Sequence, residues 1–209
     1  MPRIEPFEEY SFKYEQWFIK NKYAYKSELL AITEQLPKSK FGVDIGVGSG
    51  RFAAPLGIKI GVEPSNKMRM LSKKKMINLI DSIAENLPFK SSIFDFVLMV
   101  TTICFVDDVE ISFKEVFRIL KQDGIFILGF IDRNSEIGKS YERHKKLSVF
   151  YNIADFYSVE MVVSFLKKAK FKHFNFSQTI FHPLSAINKI EKVKNGYGKG
   201  SFVVIKAKK

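Results

Sequence analysis

The chain has 209 residues, 46% hydrophobic and 27% charged, with 34 basic and 22 acidic side chains; this excludes a disordered chain and suffices for one domain with a real core. A single cysteine excludes an internal disulfide framework and a cysteine-cluster metal site, and His144, His173 and His182 lack the spacing of a zinc enzyme. The longest uncharged stretch of the apolar centre, residues 96–106, is too short for a bilayer, and the acidic, polar first ten residues do not resemble a secretory signal, so the expected compartment is the cytoplasm.

Residues 7–36 read as helical, rich in aromatics and free of glycine, with Pro37 as the stop. Residues 41–45 form an apolar run into Gly46 and read as a buried strand, followed by a short helix over 51–56. Residues 59–62 are a second strand, and Pro64-Ser65 opens a helix reaching about residue 74. Strands are predicted at 77–83 and 95–100. Residues 109–120 have helical spacing, with Ile111 or Ser112, Val116, Ile119 and Leu120 on one face. Gln122-Asp123-Gly124 makes a turn into a fifth strand at 125–131. Residues 133–152 are polar and basic without a clear strand. Residues 158–169 are amphipathic, with Ser158 as N-cap and Glu160 near the helix start. Residues 172–181 and 201–206 read as closing strands, separated by a glycine-containing loop at 194–200. Strands that alternate with helices and look buried on both faces indicate an α/β fold with a parallel sheet covered by helices.

The charge is uneven. Residues 1–138 hold 19 basic and 18 acidic side chains, and residues 139–209 hold 15 and 4. An anionic partner such as nucleic acid is one reading of the basic last third, and solvated lysine-rich faces are the other. Lysine dominates and no arginine cluster occurs, which weakens the nucleic-acid case.

The most informative stretch is Val43-Asp44-Ile45-Gly46-Val47-Gly48-Ser49-Gly50-Arg51. A strand enters alternating glycines, which let the backbone turn sharply and approach a ligand, and the expected next helix offers free N–H groups. Glu63 follows 19 residues after Asp44, at the end of the next strand, where its carboxylate suits the two hydroxyls of a ribose. The third glycine comes one position earlier than in the dinucleotide pattern. A diphosphate would also meet Asp44 unfavourably, whereas a cofactor with an amino group or sulfonium would not.

Together these residues resemble the first motif of the class I S-adenosylmethionine-dependent methyltransferases. Further motifs follow in order. Gly61-Val62-Glu63-Pro64-Ser65 resembles the second, and Ala84-Glu85-Asn86-Leu87-Pro88-Phe89 is similar to a loop of the ubiquinone/menaquinone-biosynthesis-like subgroup. Phe94-Asp95-Phe96-Val97 and Glu115-Val116-Phe117-Arg118-Ile119-Leu120-Lys121-Gln122-Asp123-Gly124 resemble the start of the fourth strand and the entry to the fifth. The resemblance implies a Rossmann-like seven-stranded, mostly parallel sheet with helices on both faces and an antiparallel last strand. It implies S-adenosyl-L-methionine as cofactor. Asp44 would hold the methionyl amino group, with Gly46, Gly48 and Gly50 beneath the methionine and ribose. Glu63 would hold the ribose hydroxyls, with Pro64 and Ser65 beside the adenine, Ala84 and Glu85 at its edge, and Thr101 near the methionyl part. Ile83 stands where many relatives carry an acid.

The acceptor is less legible. Val100-Thr101-Thr102-Ile103-Cys104-Phe105 carries no N-P-P-Y or D-P-P-Y motif and no Pro-Cys pair. Tyr10, Tyr14, Trp17, Phe18, Tyr23 and Tyr25 are candidates to cover the cofactor, and aromatic rings would attract its sulfonium. Tyr141, His144, Tyr151 and Phe156 are candidates for the acceptor pocket. Tyr14 and His144 are the candidate catalytic groups. The expected organisation is a single domain over 1–209, with a helical cap at 1–38, a cofactor core at 39–131, and an acceptor-side insert and closing strands at 132–209. The subgroup resemblance implies a small-molecule acceptor. The alternatives are an RNA or protein methyltransferase using the basic last third, or a non-catalytic module that binds the cofactor; a nicotinamide-dependent reductase is disfavoured by Asp44 and the glycine spacing.

Overall fold

The computed structural model describes residues 3–38 and 41–209. The boundary expected between cap and core falls at residues 39–40, outside the described residues.

Three helices open the chain: α1 (Glu5–Glu9), α2 (Ser11–Lys20) and α3 (Lys22–Gln35). The single helix expected over 7–36 is thus broken at Tyr10 and Asn21, whose φ/ψ leave the helical region while their N–H groups still bond back to Pro6 and Trp17. Leu36 is extended, as the residue before a proline must be. Next come β1 (Gly42–Ile45), β2 (Ile60–Val62), α4 (Asn66–Lys73), β3 (Asn78–Ile80), β4 (Phe94–Val100), α5 (Val109–Ile119) and β5 (Leu120–Ile131). The chain closes with α6 (Glu136–Arg143), α7 (Val159–Lys168), β6 (Lys172–Thr179), β7 (Lys194–Asn195) and β8 (Phe202–Lys208).

The eight strands form one sheet in the order β3-β2-β1-β4-β5-β8-β6-β7. The first five pair in parallel, and β8 runs antiparallel between β5 and β6. Seven strands match those expected. The eighth, β7, is two residues of the glycine-containing loop that bridge to β6.

Burial explains the layers. Along β4, Val97 and Met99 enter one core with Phe113 and Val116 of α5 and Val162 of α7. Phe96, Leu98 and Val100 enter the other, with Phe18 of α2 and Ala31 and Ile32 of α3. Alternate residues therefore point to opposite faces, and both faces are covered. Ser65, Asp108, Ser135 and Ser158 cap α4, α5, α6 and α7 by accepting a backbone N–H.

The helix expected over 51–56 does not form; residues 51–57 are turns. Pro55 has no N–H to return to the Arg51 carbonyl, which accepts the Tyr25 hydroxyl at 2.5 Å instead. Among the described residues, no helix is long and apolar enough to cross a membrane.

Candidate active site

In an open parallel sheet, ligands bind outside the carboxyl ends of the strands, where the chain turns to opposite sides. Here that point lies between β1, which leads on to β2, and β4. A cavity of about 610 Å³ opens there. Gly46 and Gly48 after β1, Glu63 and Pro64 after β2, Ala84 and Glu85 after β3, and Thr101 after β4 all line it.

The glycine loop folds over the end of β2, with the Gly46 and Val47 N–H groups donating to the Val62 carbonyl at 2.8 and 3.0 Å. Gly46 has φ +71°, and a Cβ there would stand 2.3 Å from Thr102 side-chain atoms. Gly48 has φ +55°, and a Cβ would stand 3.2 Å from the Tyr14 hydroxyl oxygen. The Gly48 N–H donates to Glu63 and its carbonyl accepts the Ser72 hydroxyl, so this glycine serves the fold of the loop and leaves no room for a side chain. Gly50 does not line the cavity; it packs against Ile77 and Ser72. Without a helix after the loop, the expected helix N-terminus is missing from the site.

Glu63 is buried, and each carboxylate oxygen accepts one backbone N–H, from Gly48 at 2.8 Å and from Ser65 at 2.9 Å. Burial pushes its carboxyl up to about 7, and those two bonds oppose the rise. Asp44 projects from β1 and is 2% exposed. Among the described residues its carboxyl has no hydrogen-bond or ion-pair partner, and it does not line the cavity. Burial, then the charge of Glu63, holds it well above the usual carboxylate range. Two neighbouring buried acids, one of them orphaned, favour a ligand that brings hydroxyl donors to Glu63 and positive charge to Asp44. The residues present fit S-adenosylmethionine.

Other expected residues are held by partners within the protein. Ser65 is buried outside the cavity, where it caps α4 and donates to Glu8 of α1 at 2.7 Å. Glu85 lines the cavity, but its carboxylate accepts the Asp107 and Asp108 N–H groups at 2.7 and 3.2 Å, fixing the entry to α5. Thr101 has φ +53°, rare for a β-branched residue. Its carbonyl accepts the Cys104 thiol, which burial pushes up to about 12, out of the nucleophilic range.

α1, α2 and the segment 148–157 roof the cavity. Phe7 packs edge-on to Phe105 at 4.9 Å and against Phe150 at 5.6 Å, and Tyr14 lies 6.2 Å from Phe150. Trp17, Phe18, Tyr141, Tyr151 and Phe156 line the cavity as well, whereas Tyr10, Tyr23 and Tyr25 do not. Burial, then Glu63, raises the Tyr14 phenol, so it is a hydrogen-bond donor and not a base. His144 is exposed at the end of α6, its Nδ1 2.8 Å from the Ser140 carbonyl, and does not reach the cavity. Ile137 and Tyr141, one turn apart on α6, face the cavity, whereas His144 follows the last helical residue with non-helical φ/ψ and stays outside. The sequence reading missed Thr102, Phe7, Phe150 and Glu28, all cavity residues. Helical spacing was the available signal for Glu28: it shares a stripe with Ala24, Ala31 and Ile32, each no more than 1% exposed.

A family profile described as a methyltransferase domain matches residues 43–128. An uncharacterized protein of Methanocaldococcus jannaschii is 43% identical over 97% of this chain and 98% of its own length. The crystal structure of a SAM-dependent methyltransferase of Thermotoga maritima, described as a "possible histamine N-methyltransferase", is 50% identical. It superposes with a TM-score of 0.97 over 99% of both chains. A SAM-dependent methyltransferase of Archaeoglobus fulgidus shares the fold, with a TM-score of 0.72 at 17% identity over 96% of this chain and all of that one.

Proposed function

The chain belongs to the S-adenosylmethionine-dependent methyltransferases, and from that premise we propose that it methylates a small-molecule acceptor inside the roofed cavity. The observation that carries this reading is continuity. One cavity runs from the glycine loop and Glu63 to the rings of Trp17 and Tyr141, beneath α1, α2 and the 148–157 segment. At about 610 Å³ it is in the usual range for small-ligand sites. The Thermotoga maritima relative, described as a possible histamine N-methyltransferase, favours an acceptor of that size.

S-adenosylmethionine, when bound, supplies a methyl group made electrophilic by its sulfonium. In this proposal Glu63 accepts the ribose hydroxyls, and the charge of Asp44, two residues before the cavity-lining Gly46, attracts the methionyl ammonium from behind the cavity wall. Gly46 and Gly48 give close backbone approach, Pro64 and Ala84 flank the adenine, and the strained Thr101 backbone is held beside the methionyl part. Tyr14 closes over Gly48. The chain's contribution to rate is alignment and the exclusion of water. Residues 1–38 act as the cap, 39–131 as the cofactor core and 132–209 as the acceptor side of one domain. Kinship with the ubiquinone/menaquinone-biosynthesis-like subgroup rests on the 84–89 loop.

The test is label transfer from methyl-labelled S-adenosylmethionine, offered pools of small amines, phenols and thiols beside RNA and protein. Label in a small-molecule pool is expected. Label only in RNA or protein refutes the acceptor class. Cofactor binding with no transfer to any pool favours a non-catalytic binding module.

A further inference from the structure

Glu28 lies in the middle of α3, where helical spacing calls for an apolar side chain, and is 5% exposed. It faces the cavity. Among the described residues its carboxyl meets no hydrogen-bond donor and no cation. Lys20, which also borders the cavity, is exposed and makes no ion pair with it. Glu28 shares its end of the cavity with Trp17, Tyr141 and Tyr151, and the two tyrosine rings stack at 4.5 Å. Burial, the sole cause, pushes the Glu28 carboxyl up to about 8. Burying such a group is unfavourable, and folding gets nothing in return from any neighbour.

We propose that Glu28, with Trp17, Tyr141 and Tyr151, forms the acceptor-recognition end of the cavity and selects a small molecule bearing a positively charged amine. This rests on the methyltransferase reading of the same cavity. A cation here gains a charged hydrogen bond to Glu28 in apolar surroundings and the negative faces of the rings. A neutral alcohol can donate to Glu28 but brings no positive charge to it or to the rings, and an anion is repelled. A protonated amine has no lone pair to take a methyl group, so the accepting atom is a different one, held apart from the charge. α3 packs on β5, β6 and β8, whereas Glu63 follows β2, so the Glu28 end lies across the sheet from the ribose-binding end.

The experiment is calorimetric titration of the protein, saturated with S-adenosylhomocysteine, with 2-phenylethylamine, its neutral counterpart 2-phenylethanol and the anion 3-phenylpropanoate. The amine is expected to bind about tenfold or more tightly than the alcohol, which brings no positive charge to Glu28 or the rings, and the anion least. Glu28→Gln is expected to erase that preference while leaving S-adenosylhomocysteine binding unchanged. Tyr141→Leu is expected to weaken the amine more than the alcohol, a second readout independent of Glu28. Equal binding of amine and alcohol, no amine binding, or a preference that survives Glu28→Gln overturns this inference alone. Failure of the wild-type protein to bind S-adenosylhomocysteine overturns the cofactor reading with it.

Discussion

Asp44 and Glu63 are both buried, and each raises the cost of ionising near the other. Their partners differ, and so do their expected phenotypes. Glu63 already accepts two backbone N–H groups, and it lines the cavity. Glu63→Ala is expected to weaken S-adenosylmethionine binding by roughly 2–4 kcal/mol, one to two hydrogen bonds to a charged acceptor. An unchanged dissociation constant by calorimetry would remove Glu63 from the cofactor site. Among the described residues Asp44 has no partner, so Asp44→Asn relieves a buried charge. The expected outcome is a higher unfolding midpoint at pH 8 together with weaker cofactor binding. A lowered midpoint would mean that the carboxylate is stabilising, against the geometry.

At the scale of elements, the N-terminal helices are clasped to the cofactor loops by carboxylates. Glu8 of α1 accepts Ser65 Oγ and the Lys67 N–H, and Glu15 of α2 accepts Ser49 Oγ and pairs with Arg51. Cutting one clasp frees the roof. Glu15→Ala is expected to speed cofactor release several-fold and to expose the first 38 residues to limited proteolysis, with the sheet intact. Unaltered release in stopped-flow would show that α2 is not the roof that moves. A second lock joins two sequence motifs. Arg118 of α5 pairs with Glu115 and donates to the Leu87 and Phe89 carbonyls at 2.9 and 2.6 Å, and Glu115 accepts the Leu87 N–H at 2.9 Å. These conspicuous residues hold the 84–89 loop in place and do not touch the cavity. Glu115→Ala is therefore expected to cost about 1–3 kcal/mol in urea unfolding, with cofactor affinity nearly unchanged.

At the scale of the molecule, the buried acids set the pH response of the ligand-free protein. Glu63 and Glu28 ionise at about 7 and about 8 when folded, above the ordinary 4.5. A raised carboxyl adds stability below its unfolded value and loses it as pH rises through the folded value. The acids with lowered values, Glu8, Glu15 and Glu115, are fully ionised well before that window. The unfolding midpoint is therefore expected to fall between about pH 5 and 8, from just above the unfolded value to the folded values, and Glu28→Gln is expected to flatten the fall. A midpoint that holds steady or climbs would contradict the burial of these groups. The basic last third is partly paired: Lys168 meets Glu110 and Lys208 meets Asp123.

By itself the sequence determined the seven main strands, the cap at Ser158, and the glycine loop with Glu63. Those signals are local: apolar runs, a side chain two or three residues from the N–H it accepts, a turn that only glycine permits. The Val43–Arg51 stretch names its chemistry because strand, turn and acid are consecutive. Only the tertiary structure decided that Ser65 and Glu85 bond to backbone or to α1, that Gly50 packs on Ile77, that His144 faces solvent, and that the helix expected at 51–56 is replaced by turns held by Tyr25. It also brought Glu28, Trp17, Tyr141 and Tyr151 to one cavity from segments more than a hundred residues apart. Such meetings depend on how α3 and α6 pack across the sheet, and that packing is set by the sum of many buried side chains, not by any short pattern along the chain.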